Sequence, residues 1–199
     1  MENLIEYAEK HRTFLSRVFA VLLLPVIIFN GADSLPSYNF AFEMIGIFLV
    51  GVCSFGRLWS SMYICGNKID TLVDMGPYSM VRHPLYFFSF LGIIGIGFIS
   101  KSVIVIFSVI LFFAVYYPLV MLSEEKVLMQ KHGAAYLDYA KRVPRFFPDI
   151  TLLKEPAVYN VHTVIYRKAM LEAIWFIWGI IPLKILETLH TQGVLPHYF

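Results

Sequence analysis

The sequence has few charged residues for its length. Only 15% of its 199 residues are Asp, Glu, Lys or Arg, whereas 58% are hydrophobic. A soluble domain of this size needs more charge to cover its surface, so the composition excludes that class and predicts an integral membrane protein. The formal net charge is only +2, and no basic stripe interleaved with aromatic residues is present. The sequence therefore predicts no nucleic-acid partner.

Cysteine is also scarce, with only Cys53 and Cys65 in the chain. They lie twelve residues apart, within and just after one apolar run, and this placement disfavours a disulfide. We expect both to be small apolar fillers. Because Cys and His are not clustered, the sequence predicts no metal centre.

The apolar residues form five runs of roughly membrane-spanning length. Since about 20 apolar residues cross a bilayer as a helix, we predict an all-α, polytopic membrane bundle of about five transmembrane helices. The fifth run is interrupted by charged residues and a proline, so it either spans or lies in the interface as an amphipathic helix; we favour spanning. The runs cover residues 14–29, 40–64, 85–99, 103–122 and 169–189.

Only Ser100, Lys101 and Ser102 separate the third run from the fourth. So short a connection predicts an antiparallel helical hairpin. Small residues in the third run predict close helix packing rather than a nucleotide loop; they are Gly92, Gly95 and Gly97.

Two charges, Glu43 and Arg57, interrupt the second run and are too far apart along a helix to pair with each other. Each needs another partner or an interface. Arg57 either points toward a cytoplasmic site or anchors the helix at the membrane surface.

The basic residues predict the orientation of the chain. With five spans and a cytoplasmic N-terminus, nearly all Lys and Arg outside the runs fall on the cytoplasmic side, as the positive-inside rule requires. We treat the chain as one membrane domain with N-terminal helices (1–75), a core (76–150) and a C-terminal segment (151–199). The core then faces the cytoplasm.

Residues 76–86, GPYSMVRHPLY, place rigid backbone and titratable side chains at the membrane surface. Pro84 pushes His83 out of helical geometry and is suited to open the third helix. Gly76 and Pro77 form a turn just upstream, which predicts a stiff loop. Taken alone, Arg82 and His83 favour the simpler interpretation that they anchor a helix end to lipid headgroups.

An acidic pair, Glu124 and Glu125, follows the fourth run directly. The hairpin should return this pair to the side where the third helix begins, near His83. Two carboxylates at a membrane boundary can bind an amine or a cation, or accept a proton. Alternatively, they place negative charge at the beginning of the polar helix that follows, where the helix dipole stabilises it.

Residues 132–145 form a further polar element. Tyr136 and Tyr139 are three residues apart and share a helix face, and Pro144 ends that helix so that Arg145 projects from its exit. The basic residues here could instead form a patch that touches anionic lipid.

Together, GPYSMVRHPLY and SEEKVLMQKHGAAYLDYAKRVPRFFP, in this order around one hairpin, resemble the membrane methyltransferase family that includes isoprenylcysteine carboxyl methyltransferases and phospholipid methyltransferases. The resemblance covers residues 76–148. It implies S-adenosyl-L-methionine as cofactor, bound at the cytoplasmic membrane face. It also implies a lipophilic methyl acceptor, a prenylated cysteine or a lipid, that enters from the bilayer between helices.

Carried over by position, the resemblance implies a site without metal. The cofactor amino group suits a carboxylate, and its sulfonium suits a carboxylate or an aromatic face. The resemblance assigns catalytic roles to Glu125 and Arg145. It also implies that Tyr136, Tyr139 and Arg145 close a cytoplasmic lid. Cofactor binding falls on Tyr78, Val81, Arg82, His83, Pro84, Tyr86, Glu124, Glu125, Tyr136 and Tyr139.

Two departures from the family pattern concern the acceptor pocket. Phe87 and Phe88 stand where a small residue is common, and His132-Gly133 replaces a usual Phe-Gly pair.

Two other functions compete with the methyltransferase. The first is a membrane reductase, because membrane reductases that use NADPH resemble this chain in the same region. They normally have more membrane helices than this chain supplies. A non-catalytic scaffold or lipid-binding protein would have little use for intact RHPLY and acidic motifs.

Overall fold

The computed structural model describes residues 39–65 and 71–194, together with helical pieces at 18–19, 21–23 and 25–26. Most of the first predicted run, the N-terminus and residues 66–70 lie outside the described residues. The described part is helical, which confirms the all-α prediction. Its elements are α1 (Asn39–Ile64), α2 (Pro77–Met80), α3 (Pro84–Ile99), α4 (Val103–His132), α5 (Ala134–Arg142), a 3-10 turn (Ile150–Leu152), α6 (Thr163–Trp178) and α7 (Ile180–Thr191).

Three stretches of described helix are long and apolar enough to cross a bilayer: Phe40–Ile64, Val103–His132 and Thr163–His190. The last of these joins α6 and α7 across a turn at Gly179, and its length supports the spanning interpretation of the fifth run. Helix α3 is apolar but shorter, about 24 Å at 1.5 Å per residue. These helices fit the predicted membrane bundle.

Helices α1 and α3 pack with their backbones almost in contact. A Cβ placed on Gly46 would lie 2.7 Å from the Gly95 carbonyl oxygen, and one on Gly92 would lie 2.4 Å from the Cys53 sulfur. Glycine at these positions allows the close approach. The prediction of close packing through Gly92, Gly95 and Gly97 is confirmed, since Gly97 similarly lies against Ile106 of α4.

The predicted hairpin is also confirmed, because α3 ends at Ile99 and α4 begins at Val103. Lys101 makes the turn with φ of 55°, and the Ser102 hydroxyl accepts a hydrogen bond of 3.3 Å from the Val105 amide. The hairpin brings the acidic pair back to the beginning of α3.

Four charged residues form an ion-pair network at the turn between α3 and α4. Lys184 Nζ lies 2.5 Å from Glu43 Oε1 and 2.7 Å from Glu187 Oε2. Lys101 Nζ lies 3.5 Å from Glu43 Oε2 and also pairs with Glu187. The partners of Glu43 are therefore lysines of the hairpin and of α7, and the network ties α1, the α3–α4 turn and α7 together.

The C-terminal helices are part of the bundle. Ser54 of α1 donates a hydrogen bond of 3.3 Å to the carbonyl oxygen of Ala173 in α6. Cys53 and Cys65 are both buried and free, which confirms their prediction as unpaired residues. Helix α6 thus covers one side of α1 and reaches the site described next.

Candidate active site

Residues 76–86 form the first wall of the site, with the backbone geometry that the sequence predicts. Gly76 has φ of 58°, and a Cβ there would lie 2.4 Å from the Tyr63 ring, so the turn requires glycine. His83 is the N-cap of α3, with non-helical φ of −124° and ψ of 62°, and Pro84 is at the first helical position. From this position the His83 side chain reaches Glu124 and Glu125 of α4.

Backbone hydrogen bonds to a segment after α5 fix this loop. The Arg82 amide donates to the Pro144 carbonyl at 2.8 Å, and the Asp149 amide donates to the Met80 carbonyl at 3.0 Å. The Gly76 amide donates to the Lys154 carbonyl at 2.7 Å. We call residues 143–154 the strap. These bonds support the predicted stiffness of the loop.

Glu125 is held by three cationic or potentially cationic side chains. Its Oε1 accepts hydrogen bonds from Arg82 Nη1 at 2.9 Å and from Arg145 Nε at 3.0 Å, while Arg145 Nη2 donates to Oε2 at 2.9 Å. His83 Nε2 lies 3.2 Å from the same Oε1. The hydrogen bonds to Glu125 raise the pKa of Arg145. Both oxygens of Glu125 are thus committed to partners within the protein.

Glu124 faces the other side of the His83 ring. Tyr86 donates a hydrogen bond of 2.7 Å to Glu124 Oε1, and His83 Nδ1 lies 3.7 Å from Glu124 Oε2. Unlike Glu125, this carboxylate lines a cavity. The prediction that the acidic pair lies near His83 is confirmed, and the two carboxylates have different surroundings.

Three tyrosines enclose the site from the side of α2 and α5. Tyr136 and Tyr139 are each only 3% exposed, on one face of α5. Tyr139 donates a hydrogen bond of 2.8 Å to the Tyr78 carbonyl oxygen, and burial raises the pKa of Tyr139, so its hydroxyl stays protonated. The Tyr78 hydroxyl is itself buried and has no hydrogen-bond partner. An unsatisfied buried hydroxyl is costly, and Tyr78 is one of the residues that line the cavity described below.

A cavity of about 450 Å³ lies between these walls and continues among α1, α3, α4 and α6. Most of the predicted site residues line it: Tyr78, Arg82, His83, Pro84, Tyr86, Glu124, Tyr136 and Tyr139. Glu125 and Arg145 are outside this lining and stand behind Arg82 and His83. Val81 is also outside it and is buried in the loop, with 1% exposure. The catalytic roles of Glu125 and Arg145 stay predictions.

The lining includes polar residues that sequence reasoning did not assign to the site: Arg57 of α1, Ser89 of α3, Tyr117 of α4 and Glu172 of α6. Arg57 and Glu172 carried a signal, because charges within apolar runs are usually functional. Ser89 and Tyr117 carried none, since single hydroxyls are common in membrane helices. For Arg57, the structure supports the first sequence interpretation, that it points toward the site.

Phe146 explains how Arg145 is positioned. Its ring packs against Phe87, Phe90 and Phe113, with centroids between 5.6 and 5.8 Å apart. This aromatic cluster joins the strap to α3 and α4. Phe88, meanwhile, fills the space beside Gly56. The two phenylalanines that depart from the family pattern therefore pack between elements.

Comparisons with known proteins agree with this arrangement. Residues 42–135 match the phospholipid methyltransferase family. Among curated proteins, the chain is 32% identical over 193 residues to the nickel-cobalt-cadmium resistance protein NccN of Alcaligenes xylosoxydans, covering 96% of this chain and 90% of that protein. It is 31% identical over 190 residues to the cobalt-zinc-cadmium resistance protein CzcN of Cupriavidus metallidurans, covering 95% and 88%.

No solved structure matches the chain. The two relatives are named for resistance to metals. Within the part of the chain that the structure describes, no group of three or more His, Cys, Asp or Glu is placed to hold a metal ion. The matched family region contains the loop at residues 76–86, the hairpin and the acidic pair. The chain belongs to the phospholipid methyltransferase family of membrane proteins.

Proposed function

We propose that this protein is an S-adenosylmethionine-dependent methyltransferase that acts on a lipophilic acceptor at the membrane. One observation carries the proposal. The cavity is lined by Glu124 and by Tyr78, whose buried hydroxyl is unsatisfied, and it continues between membrane helices. Such a cavity offers polar contacts for a charged donor and apolar contacts for a lipid.

The lining fits the proposed cofactor. Its volume of about 450 Å³ is within the roughly 300–1,000 Å³ of small-molecule sites. Glu124 can accept hydrogen bonds from an ammonium group, and Tyr78 can donate one to the cofactor. The rings of Tyr86 and Tyr117, whose centroids lie 5.4 Å apart, offer faces that attract a sulfonium. When bound, S-adenosylmethionine supplies a methyl group already activated for transfer.

In this proposal, Glu125 and Arg145 position other groups instead of touching the reacting atoms. Both oxygens of Glu125 accept hydrogen bonds from arginines, so this carboxylate is poorly suited to take a proton. It fixes Arg82 and His83 in the cavity wall. Glu124 is the carboxylate that lines the cavity, and in this proposal it accepts hydrogen bonds from the cofactor ammonium group.

In the proposal, the tyrosines that enclose the site, which we call the tyrosine wall, also keep water out of the cavity. Tyr136 and Tyr139 separate the cavity from solvent on the α5 side, and α5 continues into the strap. Methyl transfer mainly requires alignment and exclusion of water. A rigid loop and a buried tyrosine wall supply both. We place this wall at the cytoplasmic surface, as the positive-inside rule predicts.

Two acceptor classes remain in the proposal: the carboxylate of a prenylated cysteine and a lipid headgroup. A carboxylate is already ionised at neutral pH and needs no base, whereas an amine must lose a proton. Both have an apolar chain that could lie between helices while the reacting group enters the cavity.

Binding measurements test the proposal. Purified protein in nanodiscs is titrated separately with S-adenosylmethionine and NADPH, alongside Glu124→Gln and the control Glu155→Gln, which changes an exposed glutamate outside the lining. We expect the parent and Glu155→Gln to bind only S-adenosylmethionine, and Glu124→Gln to bind it about tenfold more weakly. Binding of NADPH alone would make the protein a reductase. Binding of neither would favour a scaffold.

A further inference from the structure

Arg57 is a charged residue of the cavity lining that lies within a membrane-spanning helix. It lies in α1, seven residues before the helix ends at Ile64, which places it about 10 Å below that end at 1.5 Å per residue. It lines the same cavity as Glu124 and Tyr78. A cation at this depth is costly unless it has a partner or a function.

The contacts of Arg57 leave part of its guanidinium unused. Nη1 donates a hydrogen bond of 2.6 Å to the Ser89 hydroxyl, and Cζ lies 5.4 Å from the centroid of the Phe176 ring. Nε is buried without a hydrogen-bond partner. Ser89 donates its own proton to the Leu85 carbonyl at 2.6 Å, so its oxygen is oriented to accept from Arg57.

The second arginine in the lining has a different environment. Arg82 is bonded to Glu125 and to the Val143 carbonyl, so its charge is balanced within the protein. Among the described residues, the structure gives Arg57 a neutral hydroxyl and an aromatic face as partners, and no carboxylate. Glu172 also lines the cavity, but among the described residues no hydrogen bond or ion pair joins it to Arg57. An anion that enters the cavity is therefore directed to Arg57.

We propose that Arg57 binds the anionic group of the methyl acceptor and thereby selects acidic amphiphiles, with either a carboxylate or a phosphate. This inference rests on the proposed function, in which the donor occupies the end with Glu124. A lipid with its chain between helices would carry its anion to the depth of Arg57. Phe176 holds the guanidinium, which makes α6 part of the acceptor site.

The proposal is tested with amphiphile pairs that differ in charge. Protein in phosphatidylcholine nanodiscs is titrated with N-acetyl-farnesylcysteine and its neutral methyl ester, and with dihexanoyl phosphatidic acid and neutral dihexanoylglycerol. We expect at least one anion to bind about tenfold more tightly than its neutral counterpart. The farnesyl and phosphatidyl arms distinguish a carboxylate acceptor from a phosphate.

Variants then assign that preference to Arg57. Arg57→Ala should abolish it while the Kd for S-adenosylmethionine changes less than about twofold, and Arg57→Lys should retain part of it. Arg167→Ala, which removes an exposed arginine of α6, should behave like the parent. If Arg57→Ala does not fold, Arg57→Lys and Ser89→Ala replace it in the test. Each of these variants loses part of the anion preference only if the proposal is right.

Three results would overturn the proposal: no anion preference in the parent, a preference that survives in the Arg57 variants, or a loss of S-adenosylmethionine affinity equal to the loss of anion affinity. Failure of the proposed function is a separate result. In that case the parent does not bind S-adenosylmethionine at all, whatever its preference among amphiphiles.

Discussion

Glu124 and Glu125 are adjacent in the chain but face different nitrogens of the His83 ring. Glu124 Oε2 lies 3.7 Å from Nδ1 and Glu125 Oε1 lies 3.2 Å from Nε2. Only Glu124 lines the cavity, while Glu125 is bonded to two arginines. One carboxylate lines the cavity, and the other holds Arg82 and His83 in the cavity wall.

This division predicts opposite phenotypes for two similar substitutions. Glu125→Gln should lower the free energy of unfolding by about 3 kcal/mol, because it leaves Arg82 without its balancing charge. That loss corresponds to a fall in Tm of roughly 6–12 °C for a chain of this size. Glu124→Gln should weaken S-adenosylmethionine binding and change Tm little. Thermal unfolding and ligand titration of both variants check this, and equal effects on both quantities would contradict it.

The Tyr78 hydroxyl predicts a variant that loses binding without losing stability. It is buried and has no partner, so Tyr78→Phe should leave the Tm of the ligand-free protein unchanged or raise it. The same change should weaken S-adenosylmethionine binding by about fivefold, the value of one hydrogen bond of about 1 kcal/mol.

Tyr139→Phe is the matched control for Tyr78→Phe. It removes a made hydrogen bond of 2.8 Å to the Tyr78 carbonyl and should cost about 1 kcal/mol of stability. Unchanged S-adenosylmethionine affinity in Tyr78→Phe would show that the hydroxyl does not contact the cofactor.

Packing between α1 and α3 predicts a sharp difference between two glycines of α1. A Cβ on Gly46 would lie 2.7 Å from the Gly95 carbonyl oxygen, whereas one on Gly51 would meet nothing within 4 Å. Gly46→Ala should therefore destabilise the protein by about 1–3 kcal/mol, and Gly51→Ala should not destabilise it. Unfolding in detergent measures both, and a stable Gly46→Ala variant would contradict the close approach.

The proposed orientation can be tested by labelling. Lys141 of α5 has a side chain that is 75% exposed, and Val103, at the hairpin end, is 54% exposed. With a membrane-impermeant maleimide, Val103→Cys should react in intact cells and Lys141→Cys only after permeabilisation. The native cysteines are buried and should react slowly. The reverse pattern would place the candidate site outside the cell.

Much of this arrangement was predictable from local sequence signals. Gly76, Pro77 and Pro84 impose restricted backbone geometry at known positions, and a three-residue connection leaves few options other than a hairpin. These local constraints suffice to bring His83 close to the acidic pair. Their strength comes from steric rules that do not depend on the rest of the fold.

The division of roles between Glu124 and Glu125 was not predictable. Successive residues on a helix point about 100° apart, and which one faces the cavity depends on how α4 is rotated against α3. That rotation is set by nonlocal packing, including the aromatic cluster around Phe146. The family resemblance implied a catalytic role for Glu125, which stays a prediction. In the structure, both of its oxygens accept hydrogen bonds from arginines.

The C-terminal part was least accessible to sequence reasoning. The strap contacts the loop at residues 76–86 through three backbone hydrogen bonds, and backbone atoms of the strap also bond to the side chains of Ser79 and Arg82. On the strap side, these bonds leave no side-chain signature. Arg57 finds its partners, Ser89 and Phe176, on two other helices, so its role could not be read from its own run. Only the presence of a charge in an apolar segment indicated a function.

Methyl transfer itself is the most direct test of the account. Protein in nanodiscs made from a membrane lipid extract is incubated with S-adenosylmethionine labelled on its methyl group, and the label in the organic phase is counted. We predict labelled lipophilic product with the parent and much less with Glu124→Gln. Absence of labelled product from a folded parent protein that binds S-adenosylmethionine would contradict the proposed methyltransferase activity.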